Sequence, residues 1–98
     1  MELVVFARFH VRADDAGAAA QALRDVTEAS RAEAGCLEIQ AFASTRDPRL
    51  FYIHSRWRDE AAFELHACLP HTTRFLQRMD ELIDQPREVT RTRPLAQA

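Results

Sequence analysis

The 98-residue chain has few cysteines, no long apolar run and no excess of either charge. Its two cysteines, Cys36 and Cys68, form neither a CxxC pair nor a Cys/His finger spacing. That excludes a disulfide framework and leads us to expect a reducing, cytoplasmic setting. No charged stretch followed by an apolar core opens the chain, so no secretory signal is expected. No apolar run approaches the roughly 18 residues of a membrane helix. The net charge is -2 and the pI about 6.1. This balance has no basic surplus to draw nucleic acid and no acidic tail to hold an arm disordered. Repeats, linkers and low-complexity segments are also missing.

What remains has the composition of a soluble globular domain, 47% apolar and 29% charged. We expect one domain over residues 1–94 and a frayed tail over 95–98. A domain this small buries a limited share of its surface and gains stability from a partner.

"ELVVFARFHV", residues 2–11, alternates as a strand, with Leu3, Val5, Ala7 and Phe9 on one face and Val4, Phe6, Arg8 and His10 on the other. Asp14 or Asp15 is placed to cap the next element. Residues 15–34 are alanine-rich and predict a helix. Its thin apolar stripe is Ala19, Ala22, Leu23, Val26 and Ala29, with Glu33 on the solvated side and Gly35 as C-terminal cap. "CLEIQAFAST" and "LFYIHSRW" flank the turn residues Asp47 and Pro48 and read as a hairpin, with Leu37, Ile39, Ala41 and Ala43 on one face of its first strand. Asp59 can cap a second helix, which Pro70 interrupts before Phe75, Leu76, Met79, Leu82 and Ile83 resume the stripe. A weak last strand lies around Glu88–Arg93.

The order β-α-β-β-α-β is the ferredoxin-like plan of the α+β class: an antiparallel sheet with helices on one face. The other face then lacks cover in a single chain. It carries apolar residues, so a two-fold homodimer is expected.

From Glu33 to Phe75 the chain resembles the antibiotic biosynthesis monooxygenase domain family, in particular its quinol monooxygenase-like members. Their pattern is close to E-x-G-C-L…D-P…F…E-x-W-x-D…A…H…P-H…F. It is matched at Glu33, Gly35, Cys36, Leu37, Asp47, Pro48, Phe51, Trp57, Asp59, Ala62, His66, Pro70, His71 and Phe75. The resemblance implies a dimeric α/β barrel. It also implies oxidation of a quinol or polycyclic phenol by molecular oxygen, without metal, flavin or other cofactor. The partners expected are therefore a second copy of the chain, a small aromatic substrate and oxygen. One position departs from the pattern: Ser55 stands two residues before Trp57, where the family often has Glu. A non-catalytic barrel that binds a small apolar molecule, or an accessory protein, is the alternative reading, and Ser55 fits it. Haem-cleaving relatives need an asparagine on the first strand and a tryptophan on the helical segment. Here Phe6, Ala7 and Arg8 occupy that strand and His66 that segment, which argues against haem cleavage.

His66 and His71 lie five residues apart across a proline, not at the i, i+3 or i, i+4 spacing of helical metal ligands. The nearby candidates for a third ligand, Cys68 and Glu64, have no recognised spacing either, so no metal site is expected. As proton acceptors they make better chemistry. An imidazole titrates near neutrality, and an electron-rich phenolate gives an electron to oxygen more readily than its phenol. The candidate catalytic residues are thus His66 and His71. The candidate substrate walls are Trp57, Phe63, Phe75, Met79 and Phe6.

Overall fold

The computed structural model describes residues 1–96, so the last two residues of the expected tail, 97–98, lie outside the described residues. The elements are β1 (Leu3–His10), α1 (Ala16–Ser30), β2 (Cys36–Ala43), β3 (Leu50–Trp57), α2 (Glu60–Cys68), α3 (Pro70–Leu82) and β4 (Glu88–Thr92). The strands form one antiparallel sheet in the order β2-β3-β1-β4, the ferredoxin-like arrangement of the α+β class. No helix among the described residues is long and apolar enough to cross a membrane.

The alternation of β1 sets the layers. Leu3, Val5, Ala7 and Phe9 are buried beneath the helices, beside Ile39 of β2 and Phe51, Ile53, Ser55 and Trp57 of β3. Phe6 faces outward against His54, with ring centroids 5.2 Å apart, and stays half-exposed. Phe42 and Tyr52 pair across β2 and β3 on the same outer face. α3 docks through Phe75, whose ring meets Phe9 edge-on at 5.6 Å, and through the fully buried Met79.

Three local expectations need correction. Neither Asp14 nor Asp15 caps α1 through its side chain; a 3-10 turn over Ala13–Asp15 leads in instead, with the Asp15 amide donating to the Arg12 carbonyl. The helix stops at Ser30, so its buried stripe runs Ala19, Leu23, Val26, Thr27 and Ser30, and Ala29 is only partly covered. In β2 a bulge between Cys36 and Glu38 turns Leu37 out of register, and it is half-exposed rather than on the Ile39 face.

Gly35 is not a helix cap. It lies beyond the end of α1 and has no positive φ. Its role is close approach: a β-carbon added there would sit 2.4 Å from the Ala62 Cβ of α2. The Arg58 amide donates to the Gly35 carbonyl at 2.9 Å and fixes the same junction. Gly35→Ala is therefore expected to destabilise by about 1–3 kcal/mol through overpacking. Urea denaturation would measure it, and an unchanged midpoint would refute the close-approach role.

The break between α2 and α3 follows from Pro70. Leu69 is extended, with ψ 148°, and Pro70 takes the first position of α3, where its missing N–H is no loss. Asp59 caps α2 as expected, its Oδ1 accepting from the Ala62 amide at 2.8 Å.

Candidate active site

A cavity of about 200 Å³ lies between the inner sheet face and α2 and α3, and reaches β4. Val5, Phe9, Ile39, Ile53, Phe63 and Phe75 supply much of its apolar wall. Its polar lining comes from Ser55, His66, Thr72 and Arg87. Arg87 is paired with Asp80. Arg91 on β4 stacks over the Phe63 ring at 5.0 Å and pairs with Glu60 and Glu64, tying β4 to α2.

His66 projects inward from the same face of α2 as Ala62, and its ring lies 4.4 Å from Trp57 and 5.6 Å from Phe63. Its Nδ1 is 2.9 Å from Glu33 Oε2. His71, at the start of α3, brings Nε2 to 2.8 Å from the same oxygen. One carboxylate oxygen thus collects two imidazoles. A carboxylate only accepts, so each of these nitrogens carries the hydrogen. That sets the tautomer of His66: Nδ1–H donates to Glu33, and Nε2 keeps its lone pair. Thr72 Oγ1 lies 3.3 Å from Nδ1 as a second, longer contact. Nε2 has no hydrogen-bond partner among the described residues.

Burial is the largest influence on His66 and pushes its pKa below the ordinary imidazole value of 6.5. The hydrogen bond and charge of Glu33 pull it part of the way back, and nearby His71 adds a smaller push down. The group is therefore a neutral base at neutral pH, held in one orientation.

Glu33 is the residue that sequence reasoning missed. Helical periodicity puts it on the solvated side of the helix expected over residues 15–34, yet only 13% of its side chain is exposed. It sits in two successive turns after α1, with its amide bonded to the Ser30 carbonyl and its carbonyl to the Cys36 amide. The close contact of Gly35 with Ala62 then brings that turn against α2. Its position in the family pattern, two residues before Gly35, was the available signal. The nearby candidates do not join the cluster: Cys68 is exposed and Glu64 is held by Arg91.

The three donor atoms of Glu33, His66 and His71 lie within 4.8 Å of one another and could hold a divalent cation. Histidine ligands normally anchor their second nitrogen on a carboxylate, carbonyl or water. Neither Nε2 of His66 nor Nδ1 of His71 has such a protein partner among the described residues. The same geometry also serves without an ion, as a hydrogen-bonded assembly in which one carboxylate orients two imidazoles.

Of the other candidates, Phe63 and Phe75 line the cavity with His66. Trp57 lies fully buried behind Ser55 and His66, and Met79 is fully buried in the core. Phe6 is on the outer sheet face, and His71 lines a separate groove between α1 and α3. Burial raises the pKa of Cys36, with the charge of Glu33 adding to it, so this group stays a thiol. His10 bridges Asp47 and Asp84 at 3.1 and 2.6 Å, and His54 packs on Phe6; neither reaches the cluster.

A family model described as antibiotic biosynthesis monooxygenase matches residues 2–78. The chain belongs to this family. It is 30% identical over 69 residues to "Putative monooxygenase YcnE" of Bacillus subtilis, an alignment covering 70% of this chain and 73% of that one. Its structure is similar to that of Rv0793 from Mycobacterium tuberculosis, at TM-score 0.93 and 28% identity over 100% of this chain and 99% of the other. PA3566 from Pseudomonas aeruginosa is also similar, at TM-score 0.89 and 33% identity over 97% of this chain and 95% of the other. The resemblance read from Glu33 to Phe75 is thereby borne out for family and fold.

Proposed function

We propose that the protein is a cofactor-independent monooxygenase that oxidises a quinol of one or two aromatic rings with molecular oxygen. The observation that carries this reading is a neutral imidazole with a preset acceptor nitrogen on the wall of an otherwise apolar cavity. The cavity volume narrows the substrate class. An apolar cavity of about 150 Å³ takes up benzene. About 200 Å³ therefore suits one or two rings better than an extended polycycle.

In this mechanism His66 Nε2 takes the phenolic proton while Glu33 steadies the imidazolium through Nδ1–H. The phenolate passes an electron to dioxygen, and radical recombination forms a carbon–oxygen bond. One oxygen atom stays on the ring. The other leaves as water when the O–O bond breaks, taking the proton held by His66 and the one released from the ring carbon that gained oxygen. A quinol and dioxygen thus give a hydroxyquinone and water, and the substrate supplies all four electrons. Apolar walls keep bulk water from the reacting centre. Half-exposed Phe6, Phe42 and Tyr52 on the outer sheet face support a homodimer covering that face.

Oxygen uptake should be followed across quinols of one, two and three rings, on protein whose dimeric mass sedimentation has established. Uptake with the smaller quinols, with one atom of labelled dioxygen in the product, is the expected result. Binding without uptake would leave the non-catalytic reading. A monomeric mass would remove the homodimer.

A further inference from the structure

Ser55 offers a second polar contact within the same cavity. Its side chain is almost wholly buried on β3, between Val5 of β1 and Ile39 of β2 in the paired strands. The Trp57 indole Nε1–H donates to Ser55 Oγ at 2.9 Å. Indole has a donor and no acceptor, so the serine oxygen must be the accepting partner. The serine hydrogen is then left over, and it has no acceptor among the described residues. Of the polar residues on the lining, Arg87 is paired with Asp80. Three groups can still meet a ligand: the lone pair of His66 Nε2, the O–H of Ser55, and the O–H of Thr72, whose oxygen lies 3.3 Å from the His66 Nδ1–H. Of the two hydroxyls, Ser55 is the one whose oxygen is fixed at normal hydrogen-bond distance by another side chain, the Trp57 indole.

We propose that Ser55 is the specificity-determining residue of the site and donates to a second oxygen on the substrate. The ligand class is an aromatic ring system with one hydroxyl for His66 and a further oxygen for Ser55. A single-oxygen phenol leaves the Ser55 donor unmatched. This inference rests on the monooxygenase reading and names the residue that recognises the second oxygen of the quinol. Trp57 acts through Ser55: by occupying one lone pair of Oγ it limits the directions open to the hydroxyl hydrogen. A Glu at this position would put an acceptor, and a charge, where the serine puts a neutral donor. The departure from the family pattern thus becomes a change in what is bound.

The test is anaerobic calorimetric titration with a naphthol and the matching naphthalenediol, on wild type, Ser55→Ala and Ser55→Thr, with near-UV circular dichroism as the check on folding. Without oxygen, binding is separated from turnover. The wild type is expected to prefer the diol by about tenfold, the worth of one good hydrogen bond. Ser55→Ala is expected to lose that preference by weakening the diol alone, and Ser55→Thr to restore it. A purely structural serine would weaken both ligands together, and that result, or an unchanged preference in Ser55→Ala, overturns the proposal. Wild type that binds neither ligand overturns the reading of the cavity as an aromatic site and this inference with it.

Discussion

Replacing His66 with Gln is expected to lower kcat/KM for the best quinol by about 10²–10⁴-fold, the usual worth of a positioned general base. Glutamine can still donate to Glu33 Oε2 and fills a similar volume, so the fold is expected to survive. It cannot take a phenolic proton. The pH dependence carries a sharper expectation. Burial holds the His66 pKa below the ordinary 6.5, so the acid limb of kcat/KM should lie below that value. Glu33→Gln removes the charge that raises the pKa and leaves only a weaker, neutral acceptor for Nδ1–H. Its acid limb should move to still lower pH, while the plateau falls because the base is weaker. An acid limb unmoved by Glu33→Gln, or a His66→Gln variant with wild-type activity, would refute His66 as the base. The same depression enters stability. The folded state holds fewer protons at His66 than the unfolded chain does as pH drops below 6.5. That contribution is present above 6.5 and is lost as pH falls through the folded value.

The parts of the molecule set by local pattern were legible in the sequence. Period-2 alternation in β1 placed Leu3, Val5, Ala7 and Phe9 inside, and Pro70 marked the end of α2 through its own stereochemistry. Same-face geometry on a helix gave His66 an inward direction. What could not be read depends on chain distance or close approach. Glu33 is 33 residues from His66, and only the contact of Gly35 with Ala62 brings its turn onto α2. Gly35 looked like a helix cap because glycine serves both purposes, and nothing local separates them. The bulge at Leu37 shifts parity by one residue, which alternation alone does not reveal. The site was half visible for the same reason. Its histidines sit on one broken helix, whereas the carboxylate that orients them comes from the turn after α1, distant in sequence.

Trp57→Ala should have the largest effect on stability. The indole is fully buried at the end of β3, with the Phe63 ring at 5.7 Å and the His66 ring at 4.4 Å. Removing a buried aromatic costs about 3–5 kcal/mol, against about 5–15 kcal/mol for a whole domain. The melting temperature should fall by about 4–8 °C for each kcal/mol lost, so the variant will be partly unfolded under conditions where the wild type is not. Trp57→Phe divides the effect. It keeps most ring packing against Phe63 and His66 but deletes the N–H that Ser55 accepts, and should cost only about 1–3 kcal/mol. A Trp57→Ala loss below about 1 kcal/mol would mean that α2 docks without the indole. The void left by Trp57→Ala would lie directly behind Ser55 and His66 and extend the site. A two-ring phenol should therefore stabilise this variant by mass action, recovering part of the lost melting temperature in proportion to its concentration. Failure of any aromatic ligand to do so would separate the packing role of Trp57 from the cavity beside it.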